Sequence, residues 1–297
     1  MRDLDIPLPV MRALLTPLYW VLLHHRMPVT AQRRIEKVVS RAHFVPANTT
    51  VTPLRLADRP TERLTAGNST PDTAVLYLHG GGYTIGSSTT HRSLAAHLAH
   101  ETDTAVYLLD YRLAPEHPYP AALDDAVVAF DALTDAGYPP ERIAIAGDSA
   151  GGGLGLATAQ RLVTQHGVTP AALGLIAPWV DPNQRMVRNR DLVVNRRWSR
   201  RCASDYLGAG DPRATGYAPL HGPMSGLPPT YVQADTGELL YKQCVELVST
   251  LREAGVSVRF SESSGLWHVA QLQASLTAPA AAAVCELSAF LRAALQP

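Results

Sequence analysis

From residue 74 onward the chain alternates short, near-continuous apolar runs with longer helical patterns, and few folds accommodate that rhythm. Strand-like runs fall at 74–78 (AVLYL), 105–110 (AVYLLD), 142–147 (RIAIAG), 171–177 (AALGLIA), 229–234 (PTYVQA) and 256–261 (VSVRFS). Helical patterns lie around 90–101, 120–136, 150–165, 238–254 and 278–295. Strands that are apolar on both sides must be covered on both faces, so the pattern predicts an α/β fold with a mostly parallel sheet flanked by helices. Right-handed crossovers then bring the functional loops to the C-terminal ends of the strands. Upstream, residues 51–66 predict two short strands, followed by the polar turn GNSTPD. Residues 1–45 read as helical, with Thr30 as N-cap of a second helix. The alternation lapses only between about 180 and 225, where arginines accumulate. An insertion at that edge of a sheet is where a substrate cap sits.

Composition narrows the partners. The formal net charge is zero, so no global field attracts nucleic acid. Cys202, Cys244 and Cys285 are odd in number and widely spaced. They predict neither a disulfide framework nor a zinc site, and they fit a reducing, cytoplasmic compartment. The apolar stretch 8–23 contains Arg12 and Pro17 and is shorter than a membrane span, so stable membrane insertion is not expected. It lacks a cleavage site and reads as an amphipathic helix packed on the domain, a membrane-surface helix being the alternative.

The chemistry concentrates in Ile143-Ala-Ile-Ala-Gly147-Asp148-Ser149-Ala150-Gly151-Gly152. A β-branched run feeds a Gly-x-Ser-x-Gly, and an Ala/Leu/Gly-rich helical pattern follows. That is the strand, sharp turn and helix of a nucleophile elbow. Glycines flank the serine because so tight a turn leaves no room for side chains. The helix beginning there directs free N–H groups at developing negative charge.

An acyl-transfer serine also needs oxyanion donors, a base and an orienting carboxylate. His79-Gly80-Gly81-Gly82-Tyr83 follows the first strand of the alternation, where glycine N–H groups can turn towards an oxyanion. Eleven histidines compete for the base. His91, His97 and His100 share one helix and read as a solvated face. His117 precedes the serine, and His221 lies in the irregular insertion. His268, in the loop after the last strand, is the candidate. For the acid, Asp235 and Glu238 both follow the strand PTYVQA. They also fit a capping box for the next helix, and position alone does not choose between them.

These residues resemble the hormone-sensitive-lipase-like esterases, the bacterial family IV group of α/β hydrolases. Four motifs carry the resemblance over roughly residues 70–297: HGGGY at 79–83, Asp110-Tyr-Arg-Leu-Ala-Pro-Glu116 with its following HPYPAA, Gly147-Asp-Ser-Ala-Gly-Gly152, and Gly265-Leu-Trp-His268. The resemblance implies the α/β-hydrolase fold with a helical cap. N-terminal cap helices would span 1–45, a catalytic domain 46–180 and 222–297, and a cap insertion 181–221. Carried over, Ser149 is the nucleophile, His268 the general base, and Gly81, Gly82 and Ala150 supply the oxyanion N–H groups. Glu238 stands in the family's catalytic place before a hydrophobic pair, and Asp235 stands where the family usually has a glycine. The Asp110–Glu116 charges would brace the loop under the site.

The implied reaction is hydrolysis of short- to medium-chain acyl esters of small molecules through an acyl-enzyme, with no cofactor and no metal, in a protein that often forms homodimers. The same triad would serve an acyltransferase, an amidase or a lactone hydrolase. A non-catalytic ligand receptor on this fold would carry a damaged triad. Seven arginines against Asp191 between 185 and 201 read as the solvated face of a cap helix, or as a basic rim attracting an anionic substrate or acidic partner.

Overall fold

The computed structural model describes residues 4–296; residues 1–3 of the expected helical stretch 1–45, and Pro297, lie outside the described residues. Eight strands form one sheet: β1 (Thr49–Leu56), β2 (Arg59–Ala66), β3 (Ala74–Leu78), β4 (Ala105–Leu109), β5 (Ile143–Asp148), β6 (Ala172–Ile176), β7 (Thr230–Asp235) and β8 (Val258–Ser263). Their order is β1-β2-β4-β3-β5-β6-β7-β8. The strands from β4 to β8 are parallel, while β1 and β2 add an antiparallel edge. That edge is a hairpin turning on Ala57 and Asp58, with φ of 47° and 62°. Both central residues are left-handed, as a two-residue turn between twisted strands requires.

Side chains alternate across the sheet and build two cores. Leu76, Leu78, Ile143, Ile145, Leu173 and Leu175 point towards α4 (Ala121–Asp135), α5 (Ala150–Arg161) and α7 (Tyr241–Glu253). Val75, Tyr77, Ala144, Ala146 and Tyr231 point towards α3 (Ser88–Thr102) and α8 (Ala278–Leu295). The chain is an α/β-hydrolase fold. By length and composition α8 could cross a membrane. Yet Val284, Leu287, Leu291 and Leu295 are buried against the sheet, the inner stripe of a core helix.

The remaining elements gather near the C-terminal strand ends. They are α1 (Leu8–Leu22), α2 (Val29–Val39) and the segment 181–221 with α6 (Arg196–Leu207). Met11 and Leu15 of α1 pack with Trp267, Ala270 and Leu276. The expected polar outer face is missing: Val10, Leu14, Trp20 and Val21 are all about half exposed or more. The N-cap expected at Thr30 also fails. α2 already starts at Val29, preceded by Pro28, whose fixed φ pre-forms the first turn. Segment 181–221 is fastened by Asp191, which accepts from the amides of Val193, Val194 and Leu239.

Candidate active site

The nucleophile elbow is the first piece. β5 ends at Asp148, α5 begins at Ala150, and Ser149 between them holds φ 51° and ψ −119°. A non-glycine residue with positive φ costs energy and persists only where its surroundings fix it. Here the surroundings are crowded backbone: a Cβ on Gly151 would collide with the Leu78 carbonyl, and one on Gly147 with Gly151 O. The glycines expected from the tight turn are therefore required by the close approach of β3 and α5.

The second piece is the glycine loop after β3. Gly81 and Gly82 both have positive φ (113° and 60°). Among the described residues, nothing accepts a hydrogen bond from the N–H groups of Gly81, Gly82 or Ala150. Their donors are free, the condition an anion-binding cradle needs.

Loop and elbow are joined by Asp148. Its Oδ1 accepts from the Gly80 amide at 3.0 Å and from the Tyr77 hydroxyl at 2.9 Å, and its Oδ2 lies 3.3 Å from His91 Nε2. All of these groups are buried. Burial opposes a charged His91, but Asp148 outweighs it and the imidazole pKa is raised. His79 and His43 go the other way: burial, then repulsion from His91, bring each down to about 4. Asp148 thus favours the charged form of His91, while His79 and His43 are pushed towards their neutral forms. The expected solvated face on α3 is incorrect, since His91 and His97 are buried: α3 packs on the sheet beside α8, and His91 turns inward to Asp148.

The third piece comes from the far strands. His268 follows β8, and its Nε2 lies 2.8 Å from Ser149 Oγ. Its Nδ1 lies 2.8 Å from Glu238 Oε2. Burial would depress the His268 pKa, but the bond to Glu238 prevails and raises it. Among the described residues Glu238 Oε1 has no partner, so the buried carboxylate interacts chiefly with His268. Asp235 is engaged elsewhere: it accepts from Gly237 N, Ser263 Oγ and Leu266 N, tying the loop after β7 to the loop of His268. Neither acid caps α7, which starts only at Tyr241, so the expected capping box is absent.

Helices α1 and α2 brace these loops from outside. Arg12 donates to the carbonyls of Gly265 and Leu266 and lies over the Trp267 ring. Arg33 donates to Glu116 and to the carbonyls of Thr84 and Ala114. The Gly86 amide donates to Glu36. Within the Asp110–Glu116 stretch, Asp110 accepts from Ser88 N and Oγ at the start of α3, and Arg112 pairs with Asp125 of α4. These charges do brace the loop, as expected.

Ser149 and His268 open into a cavity of about 80 Å³. Its walls include Tyr19, Leu22, Leu23, Val194, Trp198 and Leu272, together with Glu36, His43 and His91. Among the described residues, no group of three or more His, Cys, Asp or Glu side chains is placed to hold a metal ion. The sequence did not single out Asp148 or Glu36 as part of this site. Asp148 had a signal, lying beside the serine at a strand end; Glu36 had none, because its partner amide is fifty residues away.

A family model described as an α/β-hydrolase fold matches residues 75–272. The putative acetyl-hydrolase LipR of Mycobacterium tuberculosis is 33% identical over 271 residues, which span 90% of this chain and 88% of that protein. An acetyl-hydrolase of Streptomyces hygroscopicus is 39% identical over 200 residues, covering 66% and 67%. A crystal structure of an esterase from the bacterial hormone-sensitive lipase family superposes with a TM-score of 0.89 at 32% identity, covering 95% of this chain and 98% of that one. Fold and likeness together define an α/β hydrolase that acts on carboxylic esters. More narrowly, the chain belongs to the hormone-sensitive-lipase-like esterases.

Proposed function

We propose that Ser149, His268 and Glu238 are the catalytic triad of this serine carboxylesterase, with the N–H groups of Gly81, Gly82 and Ala150 as its oxyanion hole. The observation that carries the reading is the continuous chain Ser149 Oγ, His268 Nε2, His268 Nδ1, Glu238 Oε2, with both links at 2.8 Å. In this assignment His268 carries its proton on Nδ1 and donates it to Glu238. Nε2 takes the Ser149 proton as Oγ attacks the ester carbonyl. The carbonyl π electrons move to oxygen, and the three amides stabilise that charge. The protonated imidazole then gives its proton to the leaving alkoxide as the C–O bond breaks. A water molecule, deprotonated by Nε2, attacks the acyl-enzyme, and the imidazolium returns that proton to Ser149 Oγ as the acyl C–O bond breaks and the acid leaves. Each oxyanion donor typically supplies about 3 kcal/mol of transition-state stabilisation.

The substrate in this reading is a small ester with a short to medium acyl chain, supported by the small apolar cavity over Ser149. Residues 1–45 and 181–221 act as the cap, supported by their contacts with the loops that carry the site. A cytoplasmic setting fits the three cysteines, all free, and a homodimer is the state the family resemblance implies. Ser149→Ala is expected to abolish hydrolysis of p-nitrophenyl butyrate while the fold is retained. A fluorophosphonate should label the wild-type chain at Ser149 and nowhere else. Persistent turnover, or labelling at another residue, refutes the assignment. A series of esters of graded acyl length, with one amide included, tests the chain-length preference and separates esterase from amidase.

A further inference from the structure

Two apolar helices in this molecule dispose of their side chains differently. α8 hides its large aliphatic residues, whereas α1 shows a whole apolar face. At 3.6 residues per turn, Val10, Ala13, Leu14, Pro17, Trp20 and Val21 fall within a sector of about 120°. All six are exposed, Leu14 at 59% and Trp20 at 61%. The opposite face, with Met11, Leu15 and Leu22, is already buried. The exposed sector therefore contributes nothing to the core, and a contiguous apolar patch of this kind marks a contact surface.

The charge beside it shows what it contacts. Residues 6–35 contain no acid, and α1 is followed directly by His24, His25 and Arg26. Trp20, His24 and His25 line a depression of about 440 Å³ together with Arg190, Arg196 and Arg197, and no carboxylate lines it. Among the described residues, none of these three guanidiniums has an ion-pair partner. The one acid of the 185–201 segment, Asp191, is occupied by three backbone amides. The depression also shares Tyr19, Val193 and Val194 with the cavity over Ser149. The apolar face, the uncompensated cations and the mouth of the active site are thus neighbours.

We propose that α1 and the adjoining arginines dock the protein peripherally on an anionic phospholipid surface, with the mouth of the active site turned towards the lipid. An apolar helix face with an aromatic residue near its end enters the boundary between headgroups and acyl chains, and arginines beside it bind anionic headgroups. A second copy of the chain fits less well. A two-fold contact is self-complementary, and this surface offers cations with no acid to meet them. Docking extends beyond the catalytic reading and does not depend on it, because no triad residue takes part.

The test uses the Ser149→Ala protein, so that hydrolysis does not alter the lipid. It is sedimented with vesicles of phosphatidylglycerol and phosphatidylcholine in equal parts, and with phosphatidylcholine alone. Binding is expected only to the anionic vesicles, and raised salt should weaken it. The pair Leu14→Glu and Val21→Glu should reduce it at least about tenfold. The pair Arg196→Gln and Arg197→Gln should reduce it roughly twenty-five-fold, at about fivefold per guanidinium. Placed in the active chain, the Leu14/Val21 pair should leave turnover of p-nitrophenyl butyrate in solution unchanged, which shows that it folds. No binding to anionic vesicles, equal binding to neutral ones, or binding indifferent to both pairs overturns the proposal. So does a wild-type dimer that the Leu14/Val21 pair splits into monomers, which assigns the face to a second copy.

Discussion

The loops at the ends of β3, β5 and β8 and the helices that cover them are held in place by different physics. Under Ser149, backbone meets backbone so closely that Gly147 and Gly151 admit no side chain, and Asp148 is enclosed by Tyr77, Gly80 and His91. Above it, α1 and α2 are attached by apolar packing of Met11, Leu15, Leu22 and Val29 and by the polar fasteners Arg12, Arg33 and Glu36, and α1 leaves one apolar face uncovered. A group that moves protons must be held to within a fraction of an ångström, and a close-packed floor does that. A covering layer needs only to exclude water and admit substrate, so looser attachment suffices and its surface is free to serve other purposes.

Substitutions can strain that contrast, beginning with the floor. Glu238→Gln should lower kcat by about four orders of magnitude, because the imidazole loses the partner that fixes its tautomer and steadies its charge. Asp235→Asn should cost less than about tenfold in kcat, since Asp235 binds loop amides and a hydroxyl, and its loss appears as about 1–3 kcal/mol of stability. If the two effects are reversed, the acid has been misassigned. Gly151→Ala should destabilise the fold by about 3 kcal/mol or more in urea unfolding, because the clash is with backbone, which cannot rotate away.

The pH profile gives a smaller and more specific effect. In the proposed mechanism neutral His268 is the reactive form, and its pKa is raised by Glu238 against the opposing pull of burial. As pH falls through that raised value, kcat/KM should decline, with the acid limb above the ordinary imidazole range. In the residual activity of Glu238→Gln the limb should move to lower pH. A limb that stays in place means that another group governs it. The smallest effect is expected in the covering layer. Arg33→Ala removes bonds to Glu116 and two carbonyls from a side chain partly open to solvent. Screening leaves about 1 kcal/mol of stability at stake. KM should rise more than kcat falls, and a kcat collapse would mean that α2 belongs to the floor after all.

The same contrast explains what could be read from the sequence. Strand and helix periodicity, the glycine-flanked serine and the HGGGY loop follow from local rules, so the sheet, the turn at Ser149 and the placement of His268 beside it were legible. The choice of Glu238 came from family likeness rather than from spacing, because Asp235 lies just three residues away at the same strand end. Contacts between distant segments were not legible. Nothing in the sequence couples Glu36 to the Gly86 amide or Arg12 to the carbonyls at 265 and 266. The histidines of α3 looked polar and outward-facing because no local rule anticipates α3 packing on the sheet beside α8 with His91 turned to Asp148. The missing polar face of α1 was overlooked for the opposite reason: a packed helix was expected, and only the fold shows which side was left uncovered.

Asp148 binds the Gly80 amide through its side-chain carboxylate and is bonded to Ser149 through its main chain, so the proposed nucleophile and the proposed oxyanion loop are tied into one piece. Heating cannot loosen one half and spare the other. Thermal inactivation should therefore be abrupt, with acylation rate and affinity for a boronic acid mimic of the tetrahedral intermediate vanishing at the same temperature.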